Sequence, residues 1–317
     1  MTTNNKILYI VVPCYDEKDV LSETANRLEK KLTTLINKKV ISPSSRVLFV
    51  DDGSKDTTWS IIESLSKENS NLFGGVKLSR NRGHQNALLA GLVTAGEKAD
   101  IVISMDADLQ DDIDAVDKML AAYAKGAEIV YGVRSAREND TFFKKATAQG
   151  FYSLMSRLGV DSVYNHADYR LMSKRAIAEL GQFREVNLFL RGIIPLLGFN
   201  TAVVEYERAE RFAGESKYPL KKMLNFAIDG ITSFSVKPLR IVTSLGFIVS
   251  VASLLIMLYA LISKLLGHAV EGWTFTILSV WFIGGVQMLS LGVVGEYIGK
   301  IYNEVKGRPR FIIEKKI

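Results

Sequence analysis

Within a chain of 317 residues, the seven residues Asp106-Ala107-Asp108-Leu109-Gln110-Asp111-Asp112 gather four carboxylates directly behind an apolar run, Ile101–Met105. Such a run reads as a buried strand, so the carboxylates emerge together at its end. Two carboxylates separated by one residue can share a hard divalent cation, Mg2+ or Mn2+, and that ion can also bridge a diphosphate. An acidic loop or a helix N-terminus produces the same D-x-D pattern, so the motif needs support from elsewhere in the chain. Val11-Val12-Pro13-Cys14-Tyr15-Asp16-Glu17 closes one apolar run, and Val50-Asp51-Asp52-Gly53-Ser54-Lys55-Asp56 closes another. Asp52 before Gly53 and Ser54 makes a tight turn whose carboxylate can accept from a base or ribose, and Tyr15 can cover the face of a base. Leu78-Ser79-Arg80-Asn81-Arg82-Gly83-His84-Gln85 leads into a helix over Asn86–Thr94, and its arginines and helix start suit a phosphate. His84 and His166 have no second histidine or cysteine at ligand spacing and are not read as metal ligands.

These groups need elements that bring them to one place. Ile7–Val12, Val47–Asp51, Val76–Leu78, Ile101–Met105, Ile129–Val133 and Val203–Tyr206 read as short buried strands with helices between them. That alternation predicts an α/β fold with a mostly parallel sheet covered on both faces. In such a sheet ligands bind beyond the carboxyl ends of the strands, which is where the acidic segments fall.

The second half of the chain is different. Ile241–Ile262 carries no charge, and about 22 residues at ~1.5 Å each reach roughly 33 Å, enough to cross a hydrocarbon core of about 30 Å. Trp273–Gly295 repeats the feature, with Gln287 as its one strongly polar side chain. A two-helix transmembrane hairpin is the expectation. The net charge of +6 is concentrated around it: Lys217, Lys221, Lys222, Lys237 and Arg240 precede the first span, and Lys300, Lys306, Arg308, Arg310, Lys315 and Lys316 follow the second. That placement suits a lipid bilayer and not nucleic acid, and it puts both termini on the cytoplasmic side. Between sheet and hairpin, Met223, Phe226, Ala227, Ile231 and Phe234 recur at helical spacing, which predicts an interfacial amphipathic helix. Gly284, Gly285 and Gly292 permit close helix approach, so a homo-oligomer through the membrane helices is an open expectation. The single cysteine, Cys14, excludes an intramolecular disulfide and fits a reducing compartment. The N-terminal segment lacks the apolar length of a signal peptide.

Taken together, VVPCYDE, VDDGSKD, RNRGHQNALLAGL and DADLQDD, in this order, resemble the family 2 glycosyltransferases of the GT-A (Rossmann-like) fold. The resemblance continues through HADYRLM at 166–172, RFAGESKY at 211–218 and GEYIGK at 295–300. Within that family the chain is similar to the bacterial polyprenyl-phosphate glycosyltransferases with two C-terminal membrane helices, akin to bactoprenol glucosyltransferase and dolichyl-phosphate mannose synthase. The resemblance implies a cytosolic catalytic domain over 1–217, an interfacial helix over 218–238, two membrane helices over 239–298 and a basic tail over 299–317. It implies that Pro13, Tyr15, Glu17, Asp52 and Asp106 bind the nucleotide, and that Asp106, Asp108 and Gln110 hold metal and diphosphate. Arg211, Ser216 and Lys217 would form a loop over the diphosphate, while Arg134, Lys144 and Lys145 would contact the lipid phosphate. The chain departs from the mannose synthases at Ala148, where they usually place a serine.

Asp108 and Asp168 are the expected catalytic residues, Asp168 as a weak base or a positioning group. The implied reaction is inverting transfer from a UDP-sugar, with glucose first, to polyprenyl (undecaprenyl) phosphate at the bacterial cytoplasmic membrane. A different UDP-sugar would leave the same residues in place. A processive synthase would need a Q-x-x-R-W motif, and the chain has no Arg-Trp pair. Every charged group invoked for chemistry precedes Ile241, so the hairpin is expected to anchor the enzyme without contributing to donor binding.

Overall fold

A computed structural model of the protein describes residues 5–134, 166–186, 188–207, 232, 235–266 and 272–317. The chain divides into two units: Met1–Tyr152 with Ser162–Tyr218 and Arg308–Ile317, and Ser153–Asp161 with Pro219–Gly307.

In the first unit, the apolar runs become strands. β1 (Leu8–Cys14), β2 (Arg46–Asp51), β3 (Phe73–Leu78) and β4 (Ile101–Ser104) lie parallel in the order β3-β2-β1-β4. Every residue of β1 is buried, as expected of a central strand covered on both faces. The helices α1 (Leu21–Asn37), α2 (Thr58–Glu68), α3 (His84–Gly96) and α4 (Ala115–Ala124) accompany them. In α1, Leu21, Ala25, Leu28, Leu32 and Leu35 recur at three- and four-residue intervals and are buried, which seats one stripe of the helix on the core. β5 (Ile129–Arg134), β6 (His166–Ser173) and β7 (Thr201–Tyr206) extend the sheet, with α5 (Lys174–Leu180) and α6 (Leu190–Leu196) between β6 and β7.

The full order is β7-β5-β6-β4-β1-β2-β3-β8, where β8 is Ile313–Lys316. β6 runs antiparallel to β4 and β5, and β8 antiparallel to β3, while the other six strands share one direction. This is the mostly parallel, Rossmann-like α/β sheet that the resemblance implies. Because β6 is reversed, it begins at the end where β1, β2, β4 and β5 finish. Asp168 and Arg170 thereby reach the crevice, two residues apart on one face of the strand.

Two elements depart from the sequence-based expectation. β6 was not expected as a strand, because its charged residues interrupt the apolar pattern. The segment 299–317 is not a free basic tail: it first completes a helix that ends at Val305 and then supplies β8. The expected interfacial helix lies outside the described residues except for Thr232, Ser235, Val236 and the two residues Lys237 and Pro238 that begin the next helix.

The second unit contains α7 (Lys237–Leu265, 29 residues) and α8 (Trp273–Val305, 33 residues). Lys237–Ile256 has a mean hydropathy of 2.1 and Ser279–Val305 one of 1.3, and neither stretch is buried against protein. Both are long and apolar enough to cross a membrane.

α3 is apolar on nearly all sides and lies against the sheet at Gly91. A Cβ at that position would sit 2.4 Å from Val11 Cγ1 and 2.7 Å from Val50 Cγ2. Gly91→Ala should therefore destabilise the protein by about 1–3 kcal/mol from overpacking, even though alanine gains roughly 1 kcal/mol in helix propensity. A thermal midpoint at or above that of the wild type would show that the contact is not tight.

Candidate active site

Asp106 and Asp108 leave the carboxyl end of β4 in a loop with unusual backbone. Leu109 has φ +57°, a left-handed conformation that costs a leucine about 1–2 kcal/mol. The twist lets the Gln110 N–H donate to Asp108 Oδ1 at 3.1 Å and turns the Leu109 side chain into the interior. Gln110 itself is buried, so its backbone amide orients Asp108.

Burial pushes the Asp106 carboxyl up to about 6, with the Asp111, Asp168 and Asp108 carboxylates adding to the effect and His84 opposing it. That crowding of negative charge is the condition a divalent cation relieves. Among the described residues no three His, Cys, Asp or Glu side chains are grouped to hold an ion. Asp106 and Asp108 fit the kind of site in which one or two carboxylates and the substrate's phosphates share the cation.

Behind them lies a cluster centred on Asp168. Asp168 Oδ1 accepts from Arg170 Nη2 at 2.6 Å and from Arg191 Nε at 3.3 Å, and Oδ2 accepts from Arg191 Nη2 at 3.2 Å. His84 Nε2 stands 3.5 Å from Asp168 Oδ2 and 3.6 Å from Asp106 Oδ1. Burial disfavours the Asp168 charge, but His84, Arg191 and Arg170 outweigh it and hold the carboxyl well below its usual range. For His84, burial opposes protonation, yet Asp168 and Asp106 raise its pKa above the ordinary histidine value. Arg170 is fully buried, so Asp168 is its neutralising partner as well. A carboxyl held down in this way is a poor proton acceptor. His84 was set aside as a ligand and no motif singled out Arg191; only tertiary structure brings them here.

On the other side, the loops after β1 and β2 are joined. The Asp16 N–H donates to Ser54 Oγ at 3.0 Å, the Lys55 N–H donates to Asp16 Oδ1 at 2.8 Å, and the Glu17 N–H donates to Thr58 Oγ1 at 2.9 Å. Glu17 is half-buried at this junction. Tyr15 stands 40% exposed at the end of β1, open to a planar ligand. Pro13 is buried inside β1, one residue before the strand's end.

Asp52 is buried, and its carboxylate accepts from the Arg82 N–H at 2.7 Å and the Gly83 N–H at 2.9 Å. These two bonds hold the 79–83 loop against Asp52. Gly53, at φ +67°, lets that loop approach, since a Cβ there would lie 2.5 Å from the Arg80 carbonyl carbon. The neighbouring Asp51 is buried with Oδ2 lacking a hydrogen-bond partner, and burial raises its pKa.

Arg134, expected at the lipid phosphate, is drawn inward. Its Nε donates to Tyr206 Oη at 3.2 Å and its Nη2 to Asp111 Oδ1 at 3.4 Å, while Tyr206 Oη donates to the same oxygen at 2.5 Å. Lys144, Lys145, Ala148, Arg211, Ser216 and Lys217 lie outside the described residues.

Comparison with known proteins matches residues 9–181 to the description "Glycosyl transferase family 2" and residues 237–301 to "GtrB C-terminal hairpin". The uncharacterized glycosyltransferase YkoT of Bacillus subtilis (strain 168) is 53% identical over 314 residues, covering 99% of this chain and 93% of that protein. The SfII prophage-derived bactoprenol glucosyl transferase of Shigella flexneri is 42% identical over 271 residues, covering 85% of this chain and 87% of that one. Among solved structures, mannosyl-3-phosphoglycerate synthase from Rubrobacter xylanophilus aligns with a TM-score of 0.48 at 16% identity, over 71% of each chain.

The raised Asp106 pKa has a consequence for stability without metal. A carboxyl whose folded pKa is about 6, against roughly 3.9 unfolded, binds more protons folded than unfolded between those values, so its contribution falls as pH rises through that window. Above pH 6 in EDTA, Asp106→Asn should thus stabilise the protein, by about 1 kcal/mol after allowing for solvent screening, or roughly 2–4 °C in thermal midpoint. The gain should vanish near pH 4. A destabilised mutant at pH 7 without metal would contradict the crowding of charge.

Proposed function

Because the chain belongs to glycosyl transferase family 2, we propose that it transfers glucose from UDP-glucose to a polyprenyl (undecaprenyl) phosphate, giving polyprenyl-phosphate-glucose and UDP. The observation that carries this reading is the Asp106–Asp108 pair at the end of β4, in a chain 42% identical over 85% of its length to a bactoprenol glucosyl transferase. Tyr15 covers the base, and Asp52 shapes the nucleotide side of the crevice through the loop it holds. A bound Mg2+ or Mn2+ at Asp106 and Asp108 supplies charge neutralisation to the leaving diphosphate.

The acceptor is a phosphate monoester with a second pKa near ~6, so at neutral pH it is mostly a dianion and already nucleophilic. No strong base is required. This agrees with an Asp168 committed to Arg170, Arg191 and His84, whose part is to keep the crevice in shape. The work left to the protein is to hold the acceptor oxygen in line with the anomeric carbon and to stabilise the departing charge. Single displacement inverts the centre, so an α-linked donor gives a β-linked product. We assign Arg211, Ser216 and Lys217 to the diphosphate, and Lys144 and Lys145 to the lipid phosphate. Arg134, tied to Asp111 and Tyr206, contributes to the lipid site through the positive charge it adds to that edge.

α7 and α8 are proposed to cross the bacterial plasma membrane as a hairpin. β1 precedes the hairpin in sequence and β8 follows it, yet both belong to one sheet. The number of crossings between them must then be even, and the basic flanks put the sheet and both termini in the cytoplasm.

Asp108→Asn should lower transfer by about a hundredfold or more while leaving expression and membrane insertion unchanged. The assay is glucose transfer from UDP-glucose to undecaprenyl phosphate in proteoliposomes, with the lipid product identified by mass spectrometry. Near-normal turnover by the folded mutant would remove Asp108 from the chemistry, and product formed only from another UDP-sugar would reassign the donor. Reporters fused before Met1 and after Ile317 should both read cytoplasm, and opposite sides would break the hairpin assignment.

A further inference from the structure

β8 lies far from the carboxylates in sequence, yet it is connected to them by a short series of contacts. It pairs with β3 in the register Val76 to Lys316, Lys77 to Lys315 and Leu78 to Ile313, with a shift between Lys77 and Leu78. The terminal residue is held from both sides: the Ile317 N–H donates to the Gly75 carbonyl at 2.9 Å, and the Gly75 N–H donates to the Ile317 carbonyl at 3.1 Å. Its seat is shaped for it. A Cβ on Gly75 would lie 2.6 Å from Ile62 Cγ2 and 3.1 Å from Ile317 Cγ1, so the Ile317 side chain packs where β3 carries none. Three ion pairs fix the register: Lys77 to Glu314 at 3.1 Å, Lys315 to Glu63 at 2.7 Å and Lys316 to Glu97 at 3.5 Å.

The contact nearest the site falls beyond β3. The Ser79 N–H donates to the Ile312 carbonyl at 3.0 Å, so the C-terminal segment fixes the first residue after the strand. From there, Arg80 and Asn81 pass against Gly53, the Arg82 and Gly83 amides bind the Asp52 carboxylate, and His84 opens α3 at 3.6 Å from Asp106. One end of the 79–83 loop is thus held by Asp52 and the other by Ile312, the residue that leads into β8.

We propose that the segment Ile312–Ile317 is a positioning element of the donor site, holding the 79–83 loop in the shape that Asp52 and His84 require. The assignment of a donor nucleotide to this crevice rests on the function proposed above; the mechanical link from β8 to the loop does not. The segment binds no substrate. Its loss leaves every residue of the crevice in place and loosens the loop that connects Asp52 to His84.

The test uses the full-length protein, with residues 313–317 deleted in one variant and Glu314→Lys in a second. Amide hydrogen exchange reports the loop directly, and steady-state kinetics with UDP-glucose and undecaprenyl phosphate separates the two substrates. The deletion should raise exchange at 79–83 by about tenfold or more while β1 and β4 stay protected. It should also raise the UDP-glucose KM by roughly tenfold, a change of ~1.4 kcal/mol, with the acceptor KM within about twofold of wild type. Glu314→Lys sets two cations against each other, so a smaller shift of about twofold is expected, reversed by adding Lys77→Glu. Unchanged exchange at 79–83 in the deletion would overturn the proposal. Equal losses in exchange protection across β1, β4 and the loop, with both KM values raised, would also overturn it by making β8 a general stabiliser. A wild-type enzyme that ignores UDP-glucose would count against the donor reading alone, and the exchange result would still decide the link.

Discussion

The charge on Asp168 is the interaction on which the crevice depends. A buried carboxylate costs several kcal/mol unless it is paired, and here it meets Arg170, Arg191 and His84 at once. Arg170 has the same problem with opposite sign, since it is fully buried and Asp168 is its ion-pair partner. Removing either one would leave the other uncompensated, so the pair is fixed in place. Because β6 runs against its neighbours, this fixed pair sits at the mouth of the sheet and not behind it. His84 is held between Asp168 and Asp106, which connects the paired cluster to the crowded Asp106 carboxyl. The site therefore has a compensated rear, at Asp168, and a front, at Asp106, where burial and neighbouring carboxylates disfavour the negative charge. That gradient is what would receive a cation and a diphosphate.

On the side of β1 and β2, backbone amides do what side-chain cations do behind Asp106. Asp52 is satisfied by two N–H groups of the 79–83 loop, and Asp16 by that of Lys55. Loops after three different strands are thereby fastened to one another by carboxylates at their tips. This explains why so many acidic residues follow the strands: some face the ligand, and others hold the loops that do. Asp52 and Asp106 look alike in sequence, each at a strand's end, and only their partners tell them apart.

What could be read from the sequence follows the same division. β1, β2 and β4 were legible because continuous apolar runs leave few alternatives to a buried strand, and the D-x-D segment was legible because it follows one of them. β6 was not legible as a strand, since Asp168 and Arg170 interrupt its apolar pattern and neutralise each other only once the chain is folded. Arg191 was missed for the same reason: it sits in a seven-residue helix with no motif, and its significance is a distance to a residue 23 positions away. Arg134 was assigned to the lipid phosphate by family resemblance, and only the folded chain shows its bonds to Asp111 and Tyr206. β8 was read as a basic tail because Lys315 and Lys316 dominate its composition. Glu63, Glu97 and Glu314 neutralise the lysines of this edge, and no local pattern announces partners about 250 residues distant.

That distance also constrains how the sheet is completed. β3 lies at an edge until β8 arrives, and β8 is made more than 230 residues after β3. An open strand edge invites pairing with other chains, so β3 must tolerate the interval before its partner exists. Its sequence, Phe-Gly-Gly-Val-Lys-Leu, is suited to that. Two adjacent glycines weaken a strand as a template, and a lysine blunts the edge. The same glycines become an advantage when the correct partner returns, because the space at Gly75 accepts the Ile317 side chain and a β-branched residue there would meet Ile62 first. One dipeptide thus disfavours wrong partners early and admits the right one late. The long interval itself follows from placing the α7–α8 hairpin between β7 and β8, so the sheet can close only after both helices have been made.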